Sequence, residues 1–193
     1  MLVTSFVVTS ENCNKFLFTE TTGLVSVKFP GGWGSPNNDL SDVQDSYITI
    51  TNILTNTKYE KIEITPSAST TTELLYSELM LEGSTSAIGT TTIADGIYHF
   101  NYFILFDNNE SIAANFYFLS LCELECKLKA LTYKFINTDC MDCKKQELKL
   151  LFLEAMALYK ALIFSYQCAD FCAFNKIYNN LIKLLKQYNC KTC

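Results

Sequence analysis

Eight of the nine cysteines fall in the last third of the chain, between Leu119 and Cys193, as four close pairs set into a helical pattern. The pairs are Cys122 with Cys126, Cys140 with Cys143, Cys168 with Cys172, and Cys190 with Cys193. Leu121, Leu124, Leu128, Leu131 and Phe135 recur at steps of three and four, and Phe174, Ile177, Leu181, Leu184 and Tyr188 repeat those steps, which puts each set on one face of a helix. Between them a third run, from about Lys144 to Tyr166, is apolar on nearly every face from Leu148 to Phe164, with only Lys149, Glu154 and Lys160 charged. The expectation is a three-helix unit whose middle helix is the buried partner of the other two.

Upstream the period changes from helical to two. Ile48 and Ile50 face one way and Tyr47, Thr49 and Thr51 the other, and Ile62 and Ile64 follow an Asn56-Thr57 turn. The strongest strand runs from Ile97 to Phe106, with Tyr98, Phe100, Tyr102, Ile104 and Phe106 on one face. Asp107-Asn108-Asn109 then turns the chain into Ser111 to Leu119, where Ile112, Ala114, Phe116 and Phe118 share a face, so the two runs predict a hairpin. Phe16 to Phe18 reads as a short first strand, Leu74 to Leu81 as a further apolar run, and Gly83 to Thr92 as an exposed connection. Six or seven short strands between polar turns predict an antiparallel β-sandwich, immunoglobulin-like, over residues 1–118. With no linker between, a Cys-rich three-helix bundle over residues 119–193 completes an α+β chain.

Charge narrows the function classes. All 15 basic residues are lysine, so no bidentate guanidinium clamp on phosphate, carboxylate or guanine exists. With a net charge of −5, specific nucleic-acid binding is not expected. The charge is also divided: residues 1–120 carry 13 acids against four lysines, and residues 121–193 carry seven acids against 11 lysines. Two differently solvated surfaces account for this, and so does a dipolar subunit whose acidic part meets the basic part of a neighbour. The longest apolar stretch, Leu150 to Phe164, is shorter than the roughly 20 residues that span a bilayer, and Met1 to Ser10 lacks a basic leader, so the expectation is a soluble protein made in a cytoplasm, with no membrane partner.

Candidate sites are few. Gly31, Gly32, Gly34 and Pro36 surround Trp33, the only tryptophan, and a rigid loop holding one large aromatic reads as a structural or interface anchor. A phosphate cradle is disfavoured there because no Gly-Lys-Ser/Thr follows. The single histidine, His99, sits in the strongest strand opposite the aromatic row, so no catalytic triad forms around it and no enzymatic activity is expected. Asp39, Asp42 and Asp45 lack the alternating oxygen ligands and glycine of a calcium loop. The cysteines leave three chemistries open. In an up-down-up bundle Cys140, Cys143, Cys190 and Cys193 meet at one end, and Cys122, Cys126, Cys168 and Cys172 at the other, so each end could hold a structural zinc ion. Disulfides and reduced cysteines used as small core residues are the alternatives, and no cofactor is required. Against zinc at one end, Cys122 and Cys126 lie nearly opposite the Leu121, Leu124, Leu128 seam.

Gly31-Gly32-Trp33-Gly34-Ser35-Pro36-Asn37, then Asp42-Val43, then Asp95-Gly96-Ile97-Tyr98, and finally the helical tail with close cysteine pairs form a combination that resembles small structural proteins of crAss-like bacteriophages. Those are tailed phages with short tails that infect gut Bacteroidales, and the chain is most similar to their ring or collar proteins, stacked between portal and tail. The resemblance implies a virion component assembled in the host cytoplasm. It implies a homo-oligomeric ring, twelvefold where it matches the portal, with the portal and other tail or ring proteins as neighbours and no catalytic residues. From the residues alone two classes stay open: an assembly protein that presents complementary surfaces to its own copies, and a β-sandwich carbohydrate- or protein-binding module with its site in the loops around Trp33.

Overall fold

The computed structural model describes residues 2–24, 42–64, 69–137 and 142–190. The chain is α+β, with two antiparallel sheets and three helices, and divides into two units, Met1–Ser120 and Leu121–Cys193. The division falls two residues past the expected 118/119 boundary because the last strand carries its alternation to Ser120.

In the first unit, β1 (Leu2–Glu11) and β2 (Lys15–Leu24) form a hairpin. Its turn places two consecutive residues in the left-handed region, Asn12 at φ 51° and Cys13 at φ 56°. The remaining strands are β3 (Val43–Asn52), β4 (Thr57–Lys58), β5 (Ile62–Glu63), β6 (Ser69–Leu75), β7 (Gly96–Phe106) and β8 (Ser111–Ser120). One sheet has the order β1-β2-β6, the other β4-β3-β7-β8 with β5 also on β3. The Phe16 to Phe18 expectation captured only the start of β2. Nothing in the sequence marked β1, whose apolar residues Leu2, Val3, Phe6, Val7 and Val8 follow no clean period of two, so its register comes from pairing with β2.

The expected β7–β8 hairpin is present, with Phe100 opposite Phe116, Tyr98 opposite Phe118 and Asn109 at φ 64° in the turn. Tyr98, Phe100, Tyr102, Ile104 and Phe106 are all buried, as are Ile48 and Ile50 of β3. They share one core with Phe16 and Leu74 of the other sheet. Asn52, also buried, closes the end of this sheet: its Oδ1 accepts from Leu54 N–H at 3.0 Å and its Nδ2 donates to Asp95 O at 3.4 Å. Gly96 packs so tightly on it that a Cβ there would overlap the Asn52 amide.

In the second unit α1 (Cys122–Asn137), α2 (Asp142–Gln167) and α3 (Phe171–Cys190) follow in order. The α2–α3 corner has a local cause. Ala169 turns left-handed at φ 55°, which ends α2, and Asp170 Oδ1 accepts from Ala173 N–H at 2.9 Å, which caps the start of α3. The inward residues are Leu124, Leu128 and Leu131 of α1, Leu148, Ala155 and Leu162 of α2, and Phe174, Leu181 and Leu185 of α3. Phe135 stacks on Phe152 with centroids 4.9 Å apart, and Tyr159 donates its hydroxyl to Glu125 Oε1 at 2.9 Å, so two side-chain contacts tie α1 to α2. The middle helix is not the buried partner that its composition predicts. It buries one face only and leaves Leu150, Leu153 and Phe164 at 68%, 53% and 67% exposure.

Two measurements test this packing. Gly96→Ala should lower stability by about 1–3 kcal/mol, read as an earlier urea midpoint with unchanged slope, because the added methyl must displace a buried amide. The Tyr159 phenol is pushed up to about 12 from its ordinary 10.0, first by burial and then by its hydrogen bond to Glu125. The neutral phenol is therefore the form that the fold favours, and its contribution is complete below pH 10 and lost as pH rises through about 12. Tyr159→Phe should flatten that part of the stability-pH curve and cost less than about 1 kcal/mol at neutral pH.

Candidate functional site

The sequence candidates separate into those the described residues reach and those they do not. Gly31, Gly32, Trp33, Gly34 and Pro36 lie outside the described residues, as do Asp39, Cys140 and Cys193. Cys143 lies near the start of α2 and Cys190 at the end of α3, with side chains outside the description. Of the other four candidate ligands, Cys122 is disulfide-bonded, and so is Cys13 in the β1–β2 turn. Cys126, Cys168 and Cys172 are free and exposed. An oxidised sulfur is no thiolate ligand, so Cys122 in this state brings nothing to a metal. Among the described residues no three or more His, Cys, Asp or Glu side chains converge to hold a metal ion.

His99 lies where the alternation put it, opposite the buried aromatic row. Its ring stacks on Tyr117, centroids 4.9 Å apart, and its Nε2 donates to Asn115 Oδ1 at 2.9 Å. Both partners sit on β8, so the histidine braces the hairpin. Asp45 is held by Lys61 Nζ at 3.2 Å, and Lys61 also lies 4.3 Å from the centre of the Tyr47 ring. Asp45 thus belongs to a surface cation–π and ion-pair cluster on β3.

The described surface with the clearest unmet need is on the helices. Leu150, Leu153, Ala157, Ala161 and Phe164 follow one another at steps of three and four along α2 and are all exposed. This is a stripe of about 21 Å at 1.5 Å rise per residue. Its flanks carry Lys149, Glu154 and Lys160, while its centre holds only alanine, which lets another backbone come close. On α1, Tyr133 and Ile136 are 69% and 71% exposed and add a second apolar patch. Scattered apolar residues are ordinary on a surface, but three large ones on a continuous helical stripe are what an interface presents. The sequence carried this signal in the uniform hydrophobicity of Leu148 to Phe164, which reads equally well as burial within the chain.

No helix among the described residues is long and apolar enough to cross a membrane. No protein-family model matches the chain, no curated protein matches its sequence, and no solved structure matches its fold.

The cysteine assignment gives a direct count. Under denaturing, non-reducing conditions a thiol reagent should titrate no more than seven of the nine cysteines, and prior reduction should restore the difference. Nine reactive thiols without reductant would remove the disulfide.

Proposed function

We propose that this chain is a non-enzymatic structural subunit that assembles with copies of itself. By its resemblance, it is a ring component of the portal and tail region of a crAss-like phage virion. The observation that carries the assembly reading is the apolar stripe Leu150, Leu153, Ala157, Ala161 and Phe164, exposed on the single chain. Left in water such a stripe is a liability. Covered by a second copy it contributes about 25 cal/mol for each Å2 removed from solvent, which is the usual driving force of subunit association.

In this reading the two sheets form a sandwich of immunoglobulin-like kind, a rigid body suited to stacking, and the three helices form a bundle that supplies lateral contacts. The split between an acidic β unit and a lysine-rich helical unit supports head-to-tail neighbours, since an interface of opposite charge steers and orients subunits. The phage assignment and the twelvefold count rest on the resemblance in Gly31 to Asn37, Asp95 to Tyr98 and the cysteine pairs.

The test is solution mass by light scattering. Assembly predicts multiples of the 21.9 kDa chain. Leu153→Lys, at an exposed position, should shift the population toward the monomer by about tenfold or more in dissociation constant, with a melting temperature equal to that of the wild type at dilutions where both are monomeric. A wild-type protein that stays monomeric at every concentration would overturn the reading.

A further inference from the structure

At one end of the β unit, the turn after β3 and the segment following the short helical turn Tyr76–Glu78 enclose an open pocket of about 390 Å3. Its polar lining is composed almost wholly of hydroxyls: Thr55, Thr57, Tyr59, Tyr76, Ser84 and Ser86. Among the described residues no lysine, aspartate, glutamate or histidine lines it, although the chain around it is rich in acids. We propose that this pocket binds a neutral polyhydroxylated ligand, a sugar of one or two rings.

The chemistry selects that class. A charged ligand would lose its hydration and find no counter-charge, whereas a sugar presents alternating hydroxyls that both donate and accept, and so does every polar side chain that forms this wall except Asn52. Ile88, Ala87, Ala94 and Leu81 supply the apolar part of the lining, where the C–H face of a sugar ring rests. The volume sits at the small end of the roughly 300–1,000 Å3 typical of ligand sites, which fits a monosaccharide or disaccharide.

Hydrogen-bond accounting leaves capacity for a guest. Tyr59 and Tyr76 hydroxyls are 3.2 Å apart, so one proton serves that contact. Tyr98 donates to Ala94 O at 3.0 Å, and its oxygen lies 3.5 Å from that of Tyr76, so a third phenol backs the two that line the pocket. Burial raises the Tyr59 phenol well above its ordinary value, which keeps it neutral and able both to donate and to accept. Thr55 and Thr57 share one bond of 2.7 Å, and each retains lone pairs.

The pocket is also preformed. Its outer wall is tied to β4 by Glu82 N–H to Lys58 O at 3.0 Å, while Ile88 N–H to Leu79 O at 2.8 Å and Ser84 N–H to Leu81 O at 2.8 Å brace it within the segment after Tyr76–Glu78. The isolated bridges Tyr59 to Leu81 and Met80 to Ala87 hold the same segment. A wall held in this way is ordered before a ligand arrives, and little entropy is lost on binding.

This inference does not rest on assembly, because the pocket lies within one β unit and its readout is independent of mass. Saturation-transfer NMR on the full-length protein with D-glucose, D-galactose, N-acetylglucosamine and lactose should show transfer from at least one sugar at millimolar affinity. Thr57→Val and Ser86→Ala, both near the surface, should each weaken that sugar by about fivefold, and Tyr59→Phe, which keeps the ring in place, should do the same. Folding of each variant is checked by its melting curve. No transfer from any of the four sugars to the folded wild type would overturn the proposal, and so would transfer that all three variants leave unchanged.

Discussion

The first unit depends on the ring of Phe16. It projects from β2, is fully buried, and meets Tyr98, Phe100 and Phe118 of the other sheet with centroids 5.1, 5.3 and 5.6 Å away. The contacts to Phe100 and Phe118 are edge-to-face, at 80° and 87°, the arrangement in which the positive rim of one ring faces the negative face of another. Burying such a side chain stabilises by about 1.5–3 kcal/mol, and each good ring pair adds about 0.5–1.5 kcal/mol. The neighbouring ion pairs of Lys15 with Glu11 and Glu73 have their carboxylates in solvent, where such pairs add little. Ring packing rather than charge therefore holds the sheets in register. A slip of one residue in β7 would turn the whole aromatic row outward.

Several polar groups around that core find partners, while Ser10 Oγ and Asn101 Oδ1 are buried without one among the described residues. Ser46 Oγ donates to Ile64 O, Asn52 bonds both Leu54 and Asp95, and the phenols of Tyr59, Tyr76 and Tyr98 lie against one another. These bonds do more than offset desolvation. They tie the ends of β3 and β7 to the turns that follow or precede them, so the turn at Ile53 to Thr57 and the segment from Leu81 to Ile88 rest on a rigid frame. A scaffold of that kind can carry a binding pocket in segments with little regular structure of their own.

The helical unit solves a different problem. Its core is a narrow set of leucines with Phe174, and α2 has more apolar surface than this core uses. Small Ala155 turns inward and large Leu150, Leu153 and Phe164 turn outward, the reverse of what stability of a lone unit would select. The helices thus leave large apolar side chains in water, which is the observation behind the assembly proposal.

Much of this was legible from the residues. Period two in Ile97 to Phe106 is readable because a strand sends alternate side chains to opposite faces, and the steps of three and four in Leu121 to Phe135 are readable because a helix returns every 3.6 residues. These are local rules, and β7, β8 and the seam of α1 follow them. What the sequence could not decide was partnership. β1 has no clean pattern and exists through its pairing with β2; α2 is apolar all round, and only packing chose which face to bury. Cys122 was readable as half of a pair with Cys126, yet it is the oxidised one, while Cys126 is a free thiol. The pocket hydroxyls come from Asn52 to Tyr59, Tyr76 and Ser84 to Ser86, segments that share no motif and meet only in the fold. Periodicity is a property of neighbours along the chain, and so the strongly periodic elements, β7, β8 and α1, could be read from the residues alone. Faces, bonds and cavities depend on residues far apart in sequence, whose contact energies exist only after the tertiary structure has brought them together.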